Sequence, residues 1–366
     1  MGFALLHPSY EQKPLEGTDM LFVRPSKLSD LDQIERMARS GGPVLHSLPP
    51  DRQRLQQRVN DSLNSLRSEV ECPGEESYLF VLEDSASGRL YGTAGIMAMA
   101  GFSEPFYAFR NEVLVHASRE LKVNHRVHAL MMSHELTGRT RLTGFYFDEA
   151  ALGNALLAPQ LLSRSRMLFI AEHRERFSNE IFSVLPGVAD EEGRSPFWDG
   201  VGYKFFRRDF TQMELASGGR SRTFIAEMMQ VDPLYVPLLS EEAQRVMGEP
   251  HVGARLNYRC HLAEGLEPDK FVDLFDAGPV LTAPLEVCQS VRHSRVHSAL
   301  RGEVSGPTVP YLVSNTQTGD FRCTVAELPA RLESEIVLPQ EVADVLEIAD
   351  GDEVRCAPLH VEGARP

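Results

Sequence analysis

Residues 141–159 read RLTGFYFDEAALGNALLAP. An aromatic strand over 141–150 ends in carboxylates, and a helix is expected at about 157–177, with Leu161, Leu162, Ser165, Leu168 and Phe169 as its inner face. The turn between them stands where many folds aim backbone N–H groups at a phosphate. Here it holds one glycine, Gly153, followed by Asn154, with no arginine and with Pro159 close behind, which supplies no N–H. The stretch therefore reads as a cofactor cradle, a degraded one, or only a strand followed by a helix.

Outward from it, the pattern becomes a fold class. Upstream, DMLFVRP (19–25) is a short strand, Ser29 and Asp30 can cap a helix carrying Leu31, Ile34, Met37 and Ala38, and a more polar helix is expected over 51–69. ESYLFVLEDSASGRLYGTAGIMAMAG (76–101) reads as two strands joined by a polar turn at Asp84–Gly88. Residues 106–137 are mixed and carry no clear period. Downstream, EIFSVLPGV (180–188) is a strand, and SPFWDGVGYKFFRRDF (195–210) reads as a short helix, a glycine turn and a closing strand. The order β-α-α-β-β-β-α-β-α-β is mixed α/β with an antiparallel hairpin inside it, which excludes an all-parallel doubly wound sheet.

After Gly218 the pattern partly recurs: SRTFIAEMM (221–229) is strand-like, SEEAQRVMGE (240–249) and VGARLNYRCHLAEGL (252–266) are helical, and KFVDLFDAGPVL (270–281) is a strand. From about 290 the chain turns to short strands, one small helix and a Gly351–Asp352 turn. The expected organisation is a loose extension over 1–19, a first domain over 20–212, a shorter second half over 213–290 and a small β-rich module over 291–366.

With 366 residues and a net charge of −15, the chain has neither the size of one ordinary core nor the basic face that nucleic acid or anionic membrane requires. No apolar run is long enough for a membrane span, and the opening residues lack the basic flank of a signal peptide, so a cytoplasmic protein is expected. Five dispersed cysteines without a C-x-x-C fit a reducing compartment and no zinc site. His125 and His128 lack a matched carboxylate, and HELTG (134–138) is not H-E-x-x-H, so no metal is expected.

The strand and helix pattern of the first 210 residues resembles an acyl-CoA N-acyltransferase of the GNAT type. More specific are FYAFRNEVLVHASRELKV (106–123), HELTG, DEEGRSPFWDGVGYKFF (190–206), FIAEMM (224–229) and FVDLFDAGP (271–279). In that order they resemble the arginine N-succinyltransferase family, in particular its alpha-type subunits. The resemblance implies an α+β fold of two GNAT-like repeats with mostly antiparallel sheets. It also implies transfer of a succinyl group from succinyl-CoA, as co-substrate and with no permanent cofactor, to the α-amine of arginine or ornithine. Assembly as a homo-oligomer or with a homologous subunit is implied too.

Such a reaction needs an ammonium deprotonated, an oxyanion stabilised and a thiolate protonated, with no covalent enzyme intermediate. The sequence has no G-x-S-x-G elbow. By its own pattern, His251 in GEPHVGA is a solvated loop histidine beside Pro250; the resemblance makes it the proton donor. The resemblance also places the donor's thioester arm against Phe145, Tyr146 and Phe147, where the family's leucine contact falls at Phe145. Its pyrophosphate falls near Gly153, Asn154, Ser163 and Arg164. Without the resemblance, Phe145 is an ordinary core aromatic and Arg164 a salt-bridged helix residue. For the amino-acid acceptor, Arg110 with Asn111 and Glu112 is one candidate cluster and Asp273 with Asp276 another. Each is also explicable as a turn cap or structural ion pair. The degraded cradle keeps a second function open: a weakly catalytic or regulatory subunit that pairs with an active homologue. The same fold using another acyl-CoA is a third.

Overall fold

The computed structural model describes residues 20–41, 48–120, 122–149, 157–210, 212–213, 227–229 and 232–359. The expected N-terminal extension and most of the strand-like stretch at 221–229 lie outside the described residues. One 15-stranded sheet runs through the molecule. Among its named strands only two neighbouring pairs are parallel.

The chain enters through β1 (Leu21–Pro25) and α1 (Leu31–Ser40), whose Leu31, Ile34, Met37 and Ala38 are buried at helical spacing. Arg24 on β1 forms an ion pair with Asp30 at 2.7 Å, fixing the entry to that helix. α2 (Arg52–Arg67) is capped by the Asp51 carboxylate, which accepts from Arg54 N at 2.9 Å. The expected hairpin is present as β2 (Ser77–Asp84) and β3 (Leu90–Met97). Asp84 closes its turn by accepting from Ala86 N at 3.0 Å, and Gly88 supplies a φ of +64°.

The stretch without a clear period is a long ribbon, β4 (Ala108–Ser118) with β5 (Val123–Ser133). Then come β6 (Thr140–Phe147), α3 (Leu157–Glu172) and β7 (Glu180–Val184). α1 and α2 pack with Leu79 and Val81 on one face of the sheet, whereas α3 packs with Tyr78, Phe80 and Leu82 on the other. Because β-strand side chains alternate, β6 sends Tyr146 to the α2 face and Phe145 to the α3 face.

The closing strand expected in YKFF is instead helical. Pro196–Gly200 is α4 and Gly202–Phe206 is α5, ending at Arg207 in the left-handed region with φ 54°. Trp198 stacks between Phe206 at 5.6 Å and Phe275 at 5.5 Å, an arrangement that turns the aromatic run inward as a helix. Gly202 lies under the indole so closely that a Cβ would sit 2.2 Å from it.

Further on are β8 (Leu234–Tyr235), α6 (Glu241–Val246), α7 (Arg255–Glu264), β9 (Glu267–Val272) and β10 (Pro279–Pro284). The single strand expected at 270–281 is thus split in two by a buried turn. The C-terminal part holds α8 (Gln289–His293), β11 (Arg295–Arg301), β12 (Thr308–Asn315), β13 (Cys323–Pro329), β14 (Glu335–Leu338), α9 (Gln340–Leu346) and β15 (Glu353–Pro358). It joins the rest where β13 pairs with β1, and Thr324 Oγ1 donates to Leu21 O at 2.7 Å.

Candidate active site

The middle of the sheet contains a built opening. β6 and β7 run parallel and are paired from Thr140↔Ile181 to Leu142↔Ser183, after which they part. Beyond that point β6 continues from Thr143 to Phe147, paired on its other edge with β3. At the parting, Gly144 adopts φ +62° and its carbonyl accepts from Thr93 Oγ1 at 2.7 Å, a bulge against β3. Asp148 N donates to Tyr91 O, so by strand alternation Tyr146 also faces β3, and Phe145 and Phe147 direct their backbone groups into the notch. Such an edge can pair with an extended, amide-bearing ligand arm.

His251 stands on the opposite wall. Its backbone N–H donates to Pro186 O at 2.9 Å, just past the end of β7, so the residue lies across the notch from the stretch around Phe145. Its Nδ1 accepts from Gly253 N at 3.0 Å, which leaves the ring proton of the neutral form on Nε2. The wall itself is held by Asp276. One carboxylate oxygen accepts from Gly187 N at 2.7 Å, the other from Gly278 N at 2.8 Å, and Gly248 N donates to Ala277 O at 2.8 Å. A Cβ at Gly278 would lie 2.1 Å from Leu185 O, so the two loops touch backbone to backbone.

Asp276 and Asp273 were candidates for binding a guanidinium, and here they differ from expectation. They are 1% and 3% exposed, and Asp273 accepts from Phe275 N at 2.8 Å. Both carboxylates satisfy buried turn amides, and Asp276 also fixes the loop that carries His251. Arg110 pairs with Glu112 and Glu135, and Asn111 Oδ1 meets His128 Nδ1 at 3.0 Å. These three residues lie on β4, separated from β6 by β7, β10 and β9, roughly 19 Å along a flat sheet.

The phosphate cradle is only partly described: Gly153 and Asn154 lie outside the described residues. Ser163 and Arg164 are on α3 but turned inward. Arg164, 2% exposed, pairs with Glu264 at 2.9 Å and also donates to Ser290 Oγ and Leu359 O. Ser163 Oγ accepts from Arg166 at 3.0 Å. Arg164 is a structural tie between α3, α7 and the C-terminal part, because a buried guanidinium must be paired where it lies.

Three further features along β6 and β7 bear on the site. Arg166 donates through Nη1 to Gly95 O at 3.3 Å from the α3 face, and Arg58 lies over Gly95 and Gly144 from the α2 face. His261 Nε2 meets Ser183 Oγ at 3.0 Å at the last paired position of β7, and burial holds its pKa well below the usual histidine range. A cleft of about 540 Å³ opens on the α2 face, lined by Asp61, Asn64, Glu76, Met97, Glu104 and Arg141 among others. Helical spacing in RQRLQQRVN marks Leu55 and Val59 as inward but leaves Arg58 looking like a surface charge, so no local signal identified it. Cys260, beside Arg164 and Arg166, has its thiol pushed up to about 11 by burial and is no ready nucleophile.

The chain has known relatives. The family model described as arginine N-succinyltransferase beta subunit matches residues 21–290, and that of its C-terminal domain matches 294–358. The chain is 43% identical over 336 residues to arginine N-succinyltransferase subunit alpha of Pseudomonas aeruginosa, covering 92% of this chain and 99% of that protein. It is 37% identical to subunit beta of the same organism, covering 93% and 99%, and 33% identical to arginine N-succinyltransferase of Escherichia coli, covering 94% and 99%. The solved structure of arginine/ornithine succinyltransferase subunit AI from Pseudomonas aeruginosa superposes with a TM-score of 0.85 at 41% identity, covering 94% of this chain and all of that one. The chain belongs to the arginine N-succinyltransferase family.

Proposed function

We propose that this protein transfers the succinyl group of succinyl-CoA to the α-amine of arginine, releasing CoA. The observation that carries this reading is the parting of β6 from β7 beyond Leu142, beside the loop that holds His251 against Pro186. The donor's pantetheine arm lies along Phe145–Phe147, held by backbone groups, with its thioester near the Gly144 bulge. The acceptor enters by the cleft on the α2 face, where Arg141 suits an α-carboxylate and Asp61, Glu76 and Glu104 suit a guanidinium.

The unprotonated amine attacks the thioester carbon, the carbonyl oxygen takes the negative charge, and the C–S bond then breaks as the amide forms. His251 gives its Nε2 proton to the departing thiolate, and the amine's proton passes to solvent or back to the imidazole. Because the thioester arrives activated, no resident cofactor is needed. The reaction is the first step of arginine breakdown, placed in the cytoplasm, which the free thiols fit. The subunit names of the Pseudomonas relatives support assembly with a second copy or a homologous subunit.

The test is thiol release from succinyl-CoA with arginine, ornithine and lysine in turn. Release with arginine and formation of the N2-succinyl product are expected; release with none of them overturns the reading. A subunit active only beside a homologue is favoured by the inward commitment of Arg164, and mixing with such a subunit would then restore turnover.

A further inference from the structure

The Gly144 bulge lies between two guanidinium groups. On the α2 face, Nη2 of Arg58 stands where a Cβ on Gly144 would come within 2.8 Å and one on Gly95 within 3.2 Å, so the two glycines give it a flat seat against the backbone. On the α3 face, Arg166 donates to Gly95 O, to Ser163 O at 3.0 Å and to Ser163 Oγ, and its guanidinium lies 5.8 Å from the Phe145 ring. All three of those acceptors are neutral, whereas Arg164 two positions earlier is matched by Glu264. Burial pushes both Arg58 and Arg166 down to about 10, so both stay charged at neutral pH. Positive charge thus straddles the place where β6 leaves β7, in surroundings where charge is poorly screened.

We propose that Arg58 binds the free carboxylate of the acyl group and so selects dicarboxylic acyl thioesters, with Arg166 strengthening the field from the opposite face. The inference rests on the donor lying in the notch as proposed above. A succinyl group carries its carboxylate roughly 4 Å beyond the thioester carbon, two methylenes away. With the thioester at Gly144, that reach ends at the guanidinium over the same residue. Arg58 is part-exposed and makes the contact; Arg166, 1% exposed, is a positioning charge beneath the strand. A donor ending in a methyl group brings no anion into this positive field and gains nothing from it, which gives the discrimination its sign.

The test compares succinyl-CoA with butyryl-CoA, which has the same length and no charge, on the full chain and on Arg58→Met, Arg58→Lys and Arg166→Lys, each checked for an unchanged thermal transition. Arg58→Met is expected to lower kcat/KM for succinyl-CoA about 100-fold, to leave butyryl-CoA and the KM for arginine unchanged, and so to abolish the donor preference. Arg58→Lys is expected to keep part of the preference, and Arg166→Lys most of it. Equal losses with both donors, or a loss confined to arginine KM, overturn the proposal. If the wild type turns over neither donor, the transferase reading fails by itself. Calorimetry then decides this one: tighter binding of succinyl-CoA than butyryl-CoA, lost in Arg58→Met, upholds it, and equal affinities in the wild type overturn it.

Discussion

The two edges of β7 have opposite fates. Toward β10 all five residues pair, from Glu180↔Pro284 to Val184↔Val280, in an antiparallel ladder. Toward β6 only Ile181, Phe182 and Ser183 pair, in parallel, and the strands then separate. A short strand does not explain this, since the same residues serve both edges. On the closed edge backbone pairing holds the position. On the open edge a different set of contacts does: the Gly144 bulge with Thr93 on one wall, Asp276 with Gly187 and Gly278 on the other, and Ser183 with His261 at the fork. A gap secured on all three sides is part of the fold, which lowers the cost of ordering it around a ligand.

Substitutions separate the two edges further. His251→Ala, on the open side, is expected to lower kcat by roughly 10²–10⁴-fold with an unchanged circular dichroism spectrum and melting temperature. Wild-type turnover in that variant would remove the imidazole from the mechanism. Arg164→Ala, behind the closed core, is expected to do the reverse. It leaves the Glu264 carboxylate buried without its counter-charge, held only by Ser290, and lowers stability in urea unfolding by about 3–5 kcal/mol, while turnover per folded molecule changes little. A loss of CoA affinity without a loss of stability would instead place Arg164 at the phosphate.

His261, at the fork, gives a pH signature. Its folded pKa lies below the unfolded value of 6.5, so below about pH 6.5 the unfolded chain takes up a proton that the folded chain refuses. Stability then falls as pH drops, by up to about 1.4 kcal/mol per unit, and the penalty is absent above that range. His261→Gln is expected to flatten the melting temperature between pH 7 and 5; an unchanged slope would assign the acid sensitivity elsewhere. The smallest effect is expected for Phe145→Leu. The proposed contact uses backbone groups, so KM for succinyl-CoA should change by no more than about twofold. A tenfold rise would show that the ring itself binds the donor.

Much of this architecture was legible where pattern and local chemistry agree. The 77–97 hairpin, β6, α3 and α7 follow from alternation, caps and turn residues, whereas β6 was singled out as a donor strand only through the family resemblance. The ribbon β4–β5 was not legible because both faces of its outer half are exposed: Val113 and Val115, 48% and 62% accessible, break the alternation that a half-buried strand would show. YKFF has strand-forming residues, and only the stack of Trp198 on Phe206 turns it into a helix. Asp273 and Asp276 have the charge that a cationic substrate wants, and sequence cannot tell a carboxylate facing solvent from one closing on buried amides. Arg58 acquires meaning only once α2 is laid over the Gly95–Gly144 backbone.

The seam between β1 and β13 has a consequence for biosynthesis. Leu21 accepts its hydrogen bond from a threonine 303 positions later in the chain. At ordinary ribosomal speeds that partner emerges on the order of 15–60 s after the strand it covers. Throughout that interval the nascent chain carries a bare strand edge, the kind that pairs with neighbours on a polysome or is shielded by a chaperone. Final closure of the sheet therefore waits until β13 has emerged, whatever the speed at which the earlier segments fold.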